Sequence, residues 1–262
     1  QGVELVLNDE TPDGSTPMEY AKALCAHAKE QGLEVPIYTT GANFFVKEPE
    51  KELERLCRHI DIAAECKIPL LRHDVAWGYY EGYTGIKSYK KVIEAVAPFV
   101  RQAAEYARER GVKTCSENHG YLLQDSVRML ELFAAVDHPN YGFLCDMGNF
   151  TVVDEDCATA VSALSDHIVH VHAKDMLVRS GMNFDPGRGY NLSRGGNYWR
   201  GTIFGHGNVP TFQILSAIRK SGYDGYVSLE FEGMEPVLEG VEIGTQNLQH
   251  MIEVIGEGQR YV

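Results

Sequence analysis

The sequence predicts an α/β chain folded as a (β/α)8 TIM barrel, on three observations. Short apolar or β-branched runs alternate with longer amphipathic segments to the C-terminus. No glycine-rich phosphate turn opens any of the units, as an open dinucleotide-binding sheet would require. Four consecutive apolar runs end in a carboxylate or an imidazole, and a barrel does its chemistry at the C-terminal ends of its strands.

The runs that read as strands are residues 3–8, 35–40, 69–74, 112–118, 141–147, 168–174 and 226–231. Seven is one short of closure, and the chain opens at Gln1 with a strand already in progress. The expectation is therefore that a first strand and helix lie upstream of Gln1. Residues 49–67 and 86–110 place apolar side chains every three or four positions, and Gly32 and Gly111 stand where helix C-terminal caps belong.

All 262 residues read as one domain. The exception to its rhythm is a segment from about 176 to 208, rich in Gly, Arg, Asn and Tyr and without a period, which reads as a lid-like insertion over a polar ligand.

A formal net charge of −13 opposes nucleic acid and anionic membrane surfaces as partners. The six cysteines show no CxxC spacing, which reads as reduced thiols in a cytoplasmic protein. No run approaches the roughly 18 apolar residues of a membrane span. A homo-oligomer is the expected assembly.

The chemistry concentrates at four strand ends: Glu117 in VKTCSENHG, Asp146 in YGFLCDMGN, His172 in IVHVHAKD and Glu230 in YVSLEFEG. A charge emerging from a buried run costs several kcal/mol unless compensated. Three carboxylates and one imidazole suit a hard divalent cation, Mn2+ first, with Mg2+, Co2+ or Zn2+ as the other candidates. Taken singly, each residue is equally a salt-bridged or solvated group at a loop edge.

With these motifs the chain resembles the sugar phosphate isomerase/epimerase family, the xylose isomerase-like barrels. The resemblance rests on SENHG at 116–120, CDMGNF at 145–150, HVHAKD at 170–175, and GHGNVP at 205–210 running into GYDGYVSLEFEG at 222–233. It implies that Glu117, Asp146, His172 and Glu230 are the metal ligands, with His170 behind them. It further implies an isomerase or epimerase of a sugar, keto-sugar or inosose, in which Glu117 and Glu230 exchange a proton through a metal-stabilised enediolate.

Around that centre His119 reads as a further acid or base, or as a loop histidine. His73 and Trp77 read as contacts to a sugar face, with Asp74 beside them. Lys174, after His172, reads as a further substrate contact, and Asp175 as its ion-pair partner or as a residue that orients a neighbouring ligand. Arg200 and His206, with Arg188 and Arg194, read as ligands of a substrate anion or of protein carboxylates.

The chain departs from the free-ketose 3-epimerases, which carry a histidine where Asn149 stands and an arginine where Val178 stands. Asn149 is accordingly assigned to substrate. The alternative reading is a lyase using the same enolate, an inosose dehydratase or the catalytic subunit of a C-glycoside deglycosidase. The latter predicts a second, non-homologous subunit. A DNA-cutting relative of the fold is opposed by the net charge.

Overall fold

The computed structural model describes residues 1–258, which form two compact units. Residues 1–123 with 127–143 make the first, and residues 124–126 with the chain from 144 onward the second.

The first unit holds β1 (Leu5–Val6), α1 (Pro17–Glu30), β2 (Tyr38–Thr40), α2 (Pro49–Glu65), β3 (Leu70–His73), α3 (Tyr89–Arg108), β4 (Lys113–Glu117), most of α4 (Ser126–Val136) and the first half of β5 (Tyr141–Asp146). Its strands pair in parallel, with Leu5 opposite Tyr38, Thr40 opposite His73 and Arg72 opposite Cys115. That register brings the polar ends of β2 and β3 level, so one rim carries the side chains that close each run.

Three helices here end in one way. The N–H groups of Leu33, Ile68 and Val112 reach back to the carbonyls of Ala28, Ala63 and Ala107. The residue before each takes a left-handed conformation: Gly32 at φ 72°, Gly111 at φ 71°, and Lys67 at φ 59°. Gly32 and Gly111 are the expected caps, and Lys67 adopts the same geometry with a side chain attached. α1 starts on a capping box, Thr16 accepting from the Glu19 N–H while the Glu19 carboxylate accepts from Thr16. α3 buries Val92, Val96, Val100, Ala103 and Ala107 along one stripe, and Phe99 stacks on Phe44 at 6.0 Å.

The second unit continues with the rest of β5, a 3-10 turn (Asn149–Val153), α5 (Cys157–Leu164), β6 (Ile168–Ala173), β7 (Asp175–Arg179), β8 (Asn191–Leu192), β9 (Tyr198–Thr202), α6 (Thr211–Lys220), β10 (Val227–Leu229) and α7 (Val237–Gly258). β6 and β10 pair in parallel with Ser228 opposite His172. Across the chain the hydrogen-bonded order is β1-β2-β3-β4-β5-β6-β10, the seven strands read from the sequence.

The aperiodic segment is folded rather than structureless: β7, β9 and β8 form their own antiparallel sheet, with Val178 opposite Trp199 and Asn191 opposite Trp199 on the other side. Asp154 holds its tight turn, accepting from the Ser193 hydroxyl at 2.6 Å, the Asn197 amide at 2.7 Å and the Gly195 N–H. Turn chemistry, not hydrophobic period, specifies this piece. No helix among the described residues is long and apolar enough to cross a membrane.

Candidate active site

In the first unit, strand-end carboxylates converge on one guanidinium. Arg72 lies inside β3, where neighbouring Leu71 and His73 are fully buried. It donates to both oxygens of Asp74 at 3.1 and 2.9 Å, and its Nη2 lies 2.7 Å from Glu117 Oε2. All three side chains are buried, and burial by itself weakens the guanidinium's hold on its proton. Glu117 and Asp74 outweigh that effect and raise its pKa.

Asp74 also meets His119, whose Nδ1 lies 3.0 Å from Oδ1. Burial raises the Asp74 pKa, but the His119 hydrogen bond and the Arg72 charge bring it below the ordinary value. The same hydrogen bond, against burial, raises the His119 pKa. His119 is thereby favoured as a proton donor.

His73 has no exposed surface. Its Nδ1–H donates to the Asp74 carbonyl at 2.8 Å, and its ring lies edge-on to Phe44 and stacked with Tyr141. Burial takes its pKa down to about 4. Trp77 is the opposite case, 60% exposed, with its ring against Gly41, where a Cβ would stand 3.1 Å from it.

In the second unit the ends of β5, β6 and β10 bring Asp146, His172 and Glu230 together, their ligand atoms within 4.8 Å of one another. Asp146 is fully buried, and its Oδ1 accepts from the N–H groups of Gly148 and Asn149 at 2.7 and 2.9 Å, which fixes the carboxylate's direction. A Cβ on Gly148 would come within 2.9 Å of the Lys174 carbonyl, so the DMGN turn needs glycine for close approach. His172 Nδ1 is 3.0 Å from Glu230 Oε2. His170 lies edge-on to His172, with ring centroids 5.8 Å apart, and its Nε2 is 2.9 Å from the Ser228 hydroxyl.

Lys174 reaches into this cluster. Its ammonium lies 2.9 Å from Asp146, 3.0 Å from Glu230 and 3.4 Å from Glu232, and it is 3.4 Å from the Asn149 side-chain oxygen. Asp175 points away: its two oxygens accept from the N–H groups of Met176, Val209, Gly205 and Gly207 at 2.8 to 3.1 Å. It is therefore the knot of the GHGNVP loop and not the ion-pair partner of Lys174.

Of the arginines in the insertion, Arg200 lies 3.4 Å from Glu235 and Arg194 2.6 Å from Asp125, both on protein carboxylates. His206 and Arg188 are exposed.

Arg72 and Glu232 belong to these clusters without closing an apolar run, the mark that the other site residues carry. The signal for Arg72 was present, since an arginine between apolar neighbours in a buried strand must find carboxylates. Glu232 alternates with Glu230 on a strand end and carried no such mark.

A family model described as a xylose isomerase-like TIM barrel matches residues 1–255. The inosose dehydratase of Lacticaseibacillus casei is 28% identical over 142 residues, 53% of this chain and 47% of that protein, so the match spans about half the length of that relative. Among solved structures, a xylose isomerase domain protein from Planctomyces limnophilus superposes with a TM-score of 0.75 at 16% identity, covering 98% of this chain and 90% of the other. A D-tagatose 3-epimerase-like protein does so at 0.73 and 19%, covering 97% and 89%. At such identities the structural likeness shows the fold.

Proposed function

Because the chain belongs to the xylose isomerase-like TIM-barrel family, we propose that it is a metal-dependent isomerase or epimerase of a sugar, keto-sugar or inosose. The observation that carries the reading is the convergence of Asp146, His172 and Glu230 at three strand ends. Two carboxylates and an imidazole at that spacing fit one divalent cation, and Glu117, ending β4, is the fourth ligand in this reading. Mn2+ is the first candidate.

When bound, the cation supplies a Lewis acid that polarises a carbonyl and its neighbouring hydroxyl and so acidifies the C–H between them. Glu117 and Glu230 remove and return the carbon-bound proton. His119, hydrogen-bonded to Asp74, delivers a proton at oxygen. Arg72 holds Asp74 and Glu117 in place. Lys174 and Asn149 orient a substrate hydroxyl beside Asp146.

The likeness to an inosose dehydratase supports a second reading, a lyase that starts from the same proton abstraction and then expels a hydroxyl. Incubation in D2O with ketoses, inososes and 3-keto-glycosides, with Mn2+ and with chelator, tests both. Chelator-sensitive exchange with a rearranged product supports the isomerase, and exchange with loss of water supports the lyase. Absence of exchange on every substrate would sink both readings.

A further inference from the structure

We propose that a cavity of about 790 Å3 in the first unit, lined by Asp9, Asn43, Arg55 and Trp77, binds an uncharged, hydroxyl-rich ring, with Asp9 as its principal acceptor. This deepens the proposed function, on which it rests, by naming the substrate class as a neutral polyol rather than a sugar phosphate or sugar acid.

Asp9 is aimed by a buried relay. The Tyr38 hydroxyl and His59 Nδ1 are hydrogen-bonded, and His59 Nε2 lies 3.2 Å from Asp9 Oδ1. An ionised carboxylate only accepts, so His59 carries its proton on Nε2 and Tyr38 donates to Nδ1. Tyr38 and His59 have almost no exposed surface, whereas the Asp9 side chain is half exposed. Arg55 fixes the other oxygen, Nη1 lying 3.3 Å from Oδ2. Each Asp9 oxygen thus has one donor from the protein and lone-pair capacity left on the cavity side, the arrangement that receives sugar hydroxyls.

Trp77 supplies the complementary surface. Tryptophan is usually well buried, yet this ring is 60% exposed with one side against the Gly41 backbone. Its free face suits the C–H face of a pyranose or cyclitol ring.

Charge gives an anion no net advantage. The lining carries four cationic side chains and four carboxylates. Arg55 is committed to Glu52 at 2.9 Å as well as to Asp9, and Lys51 to Glu48 at 2.7 Å. A phosphate would meet no net positive field and would face the Asp9 carboxylate.

The test uses the full chain, stripped of metal by chelator, with Trp199→Phe so that Trp77 is the sole tryptophan. Its fluorescence is titrated with D-glucose and with D-glucose 6-phosphate. The expected result is a saturable change with glucose, at least tenfold weaker in Asp9→Asn, and no tighter binding of the phosphate ester. A Trp77→Ala variant, read by magnetisation transfer from protein to glucose protons, is expected to lose the transfer. Flat emission, indifference to Asp9→Asn, or a phosphate ester bound tenfold tighter would overturn the proposal. Because no metal is present, binding without any proton exchange in the loaded enzyme upholds the cavity and sinks the catalytic reading. Exchange without glucose binding does the reverse.

Discussion

The Lys174 ammonium lies 2.9 Å from Oδ2 of the buried Asp146 carboxylate, whose Oδ1 is held by two backbone N–H groups. The same ammonium is 3.0 Å from Glu230, so one lysine bridges two of the three carboxylates of the proposed metal centre and offsets part of their charge.

Replacing it with an apolar side chain leaves like charges facing each other. Lys174→Met is expected to cost about 3 kcal/mol in chelator. Mn2+ or Mg2+ then supplies the missing positive charge, so the metal-induced rise in Tm is larger in the variant than in the parent. Melting curves with and without metal check this, and equal rises in the two proteins would show that Lys174 is no counter-charge to the site.

Glu230 and Glu232 both reach Lys174, at 3.0 and 3.4 Å, but only Glu230 also meets His172. Glu230→Gln is expected to lower proton exchange at least about 100-fold, the scale of losing a general base. Glu232→Gln is expected to change it less than about tenfold. Rates of solvent deuterium incorporation measure both, and comparable losses would contradict the assignment.

Acid should weaken the fold through His73. Its folded pKa is about 4 against 6.5 for an ordinary histidine, because burial disfavours the charged ring. Between those values the unfolded chain binds the extra proton, so stability present above pH 6.5 is lost as pH falls through about 4. The total from this group is at most about 3 kcal/mol. His73→Gln should flatten that part of a urea-denaturation profile, and an unchanged slope would place the acid sensitivity elsewhere.

Lys67 holds the left-handed position that Gly32 and Gly111 hold at the ends of α1 and α3. Lys67→Gly removes the Cβ conflict and is expected to stabilise the protein by about 1 kcal/mol, less the added backbone freedom of the unfolded chain. Denaturant midpoints decide it, and a destabilised variant would mean that the lysine side chain contributes more than its backbone costs.

Much of this is legible in the sequence. The seven parallel strands announce themselves because each lies within a short apolar or β-branched run, as residues 35–40 and 112–118 show against Tyr38–Thr40 and Lys113–Glu117. Asp146, His172 and Glu230 were legible as a group because polar side chains closing buried runs share one rim. What the sequence did not disclose depends on contacts between distant positions. The Asp9–His59 bond spans 50 residues, and the partners of Asp175 lie up to 34 residues away. β8 is two residues long, too short for any period, and its turn is specified by Asp154, outside the segment. Nor does a strand pattern reveal that His73 turns into an aromatic pocket while its neighbours Arg72 and Asp74 bind each other.

Asp175 gathers backbone from both ends of the excursion that carries β7, β8 and β9, joining Met176 to Gly205, Gly207 and Val209. A Cβ on Gly207 would stand 2.0 Å from its Oδ1, so the clasp admits no side chain there. With entry and exit tied by one carboxylate, the intervening hairpin behaves as a cassette: its length adds loop-closure entropy only logarithmically, and a replacement leaves from and returns to the same two points. Residues after Arg179 and before Tyr198 are thus natural graft points at which a new specificity element can be exchanged while the clasp stays closed.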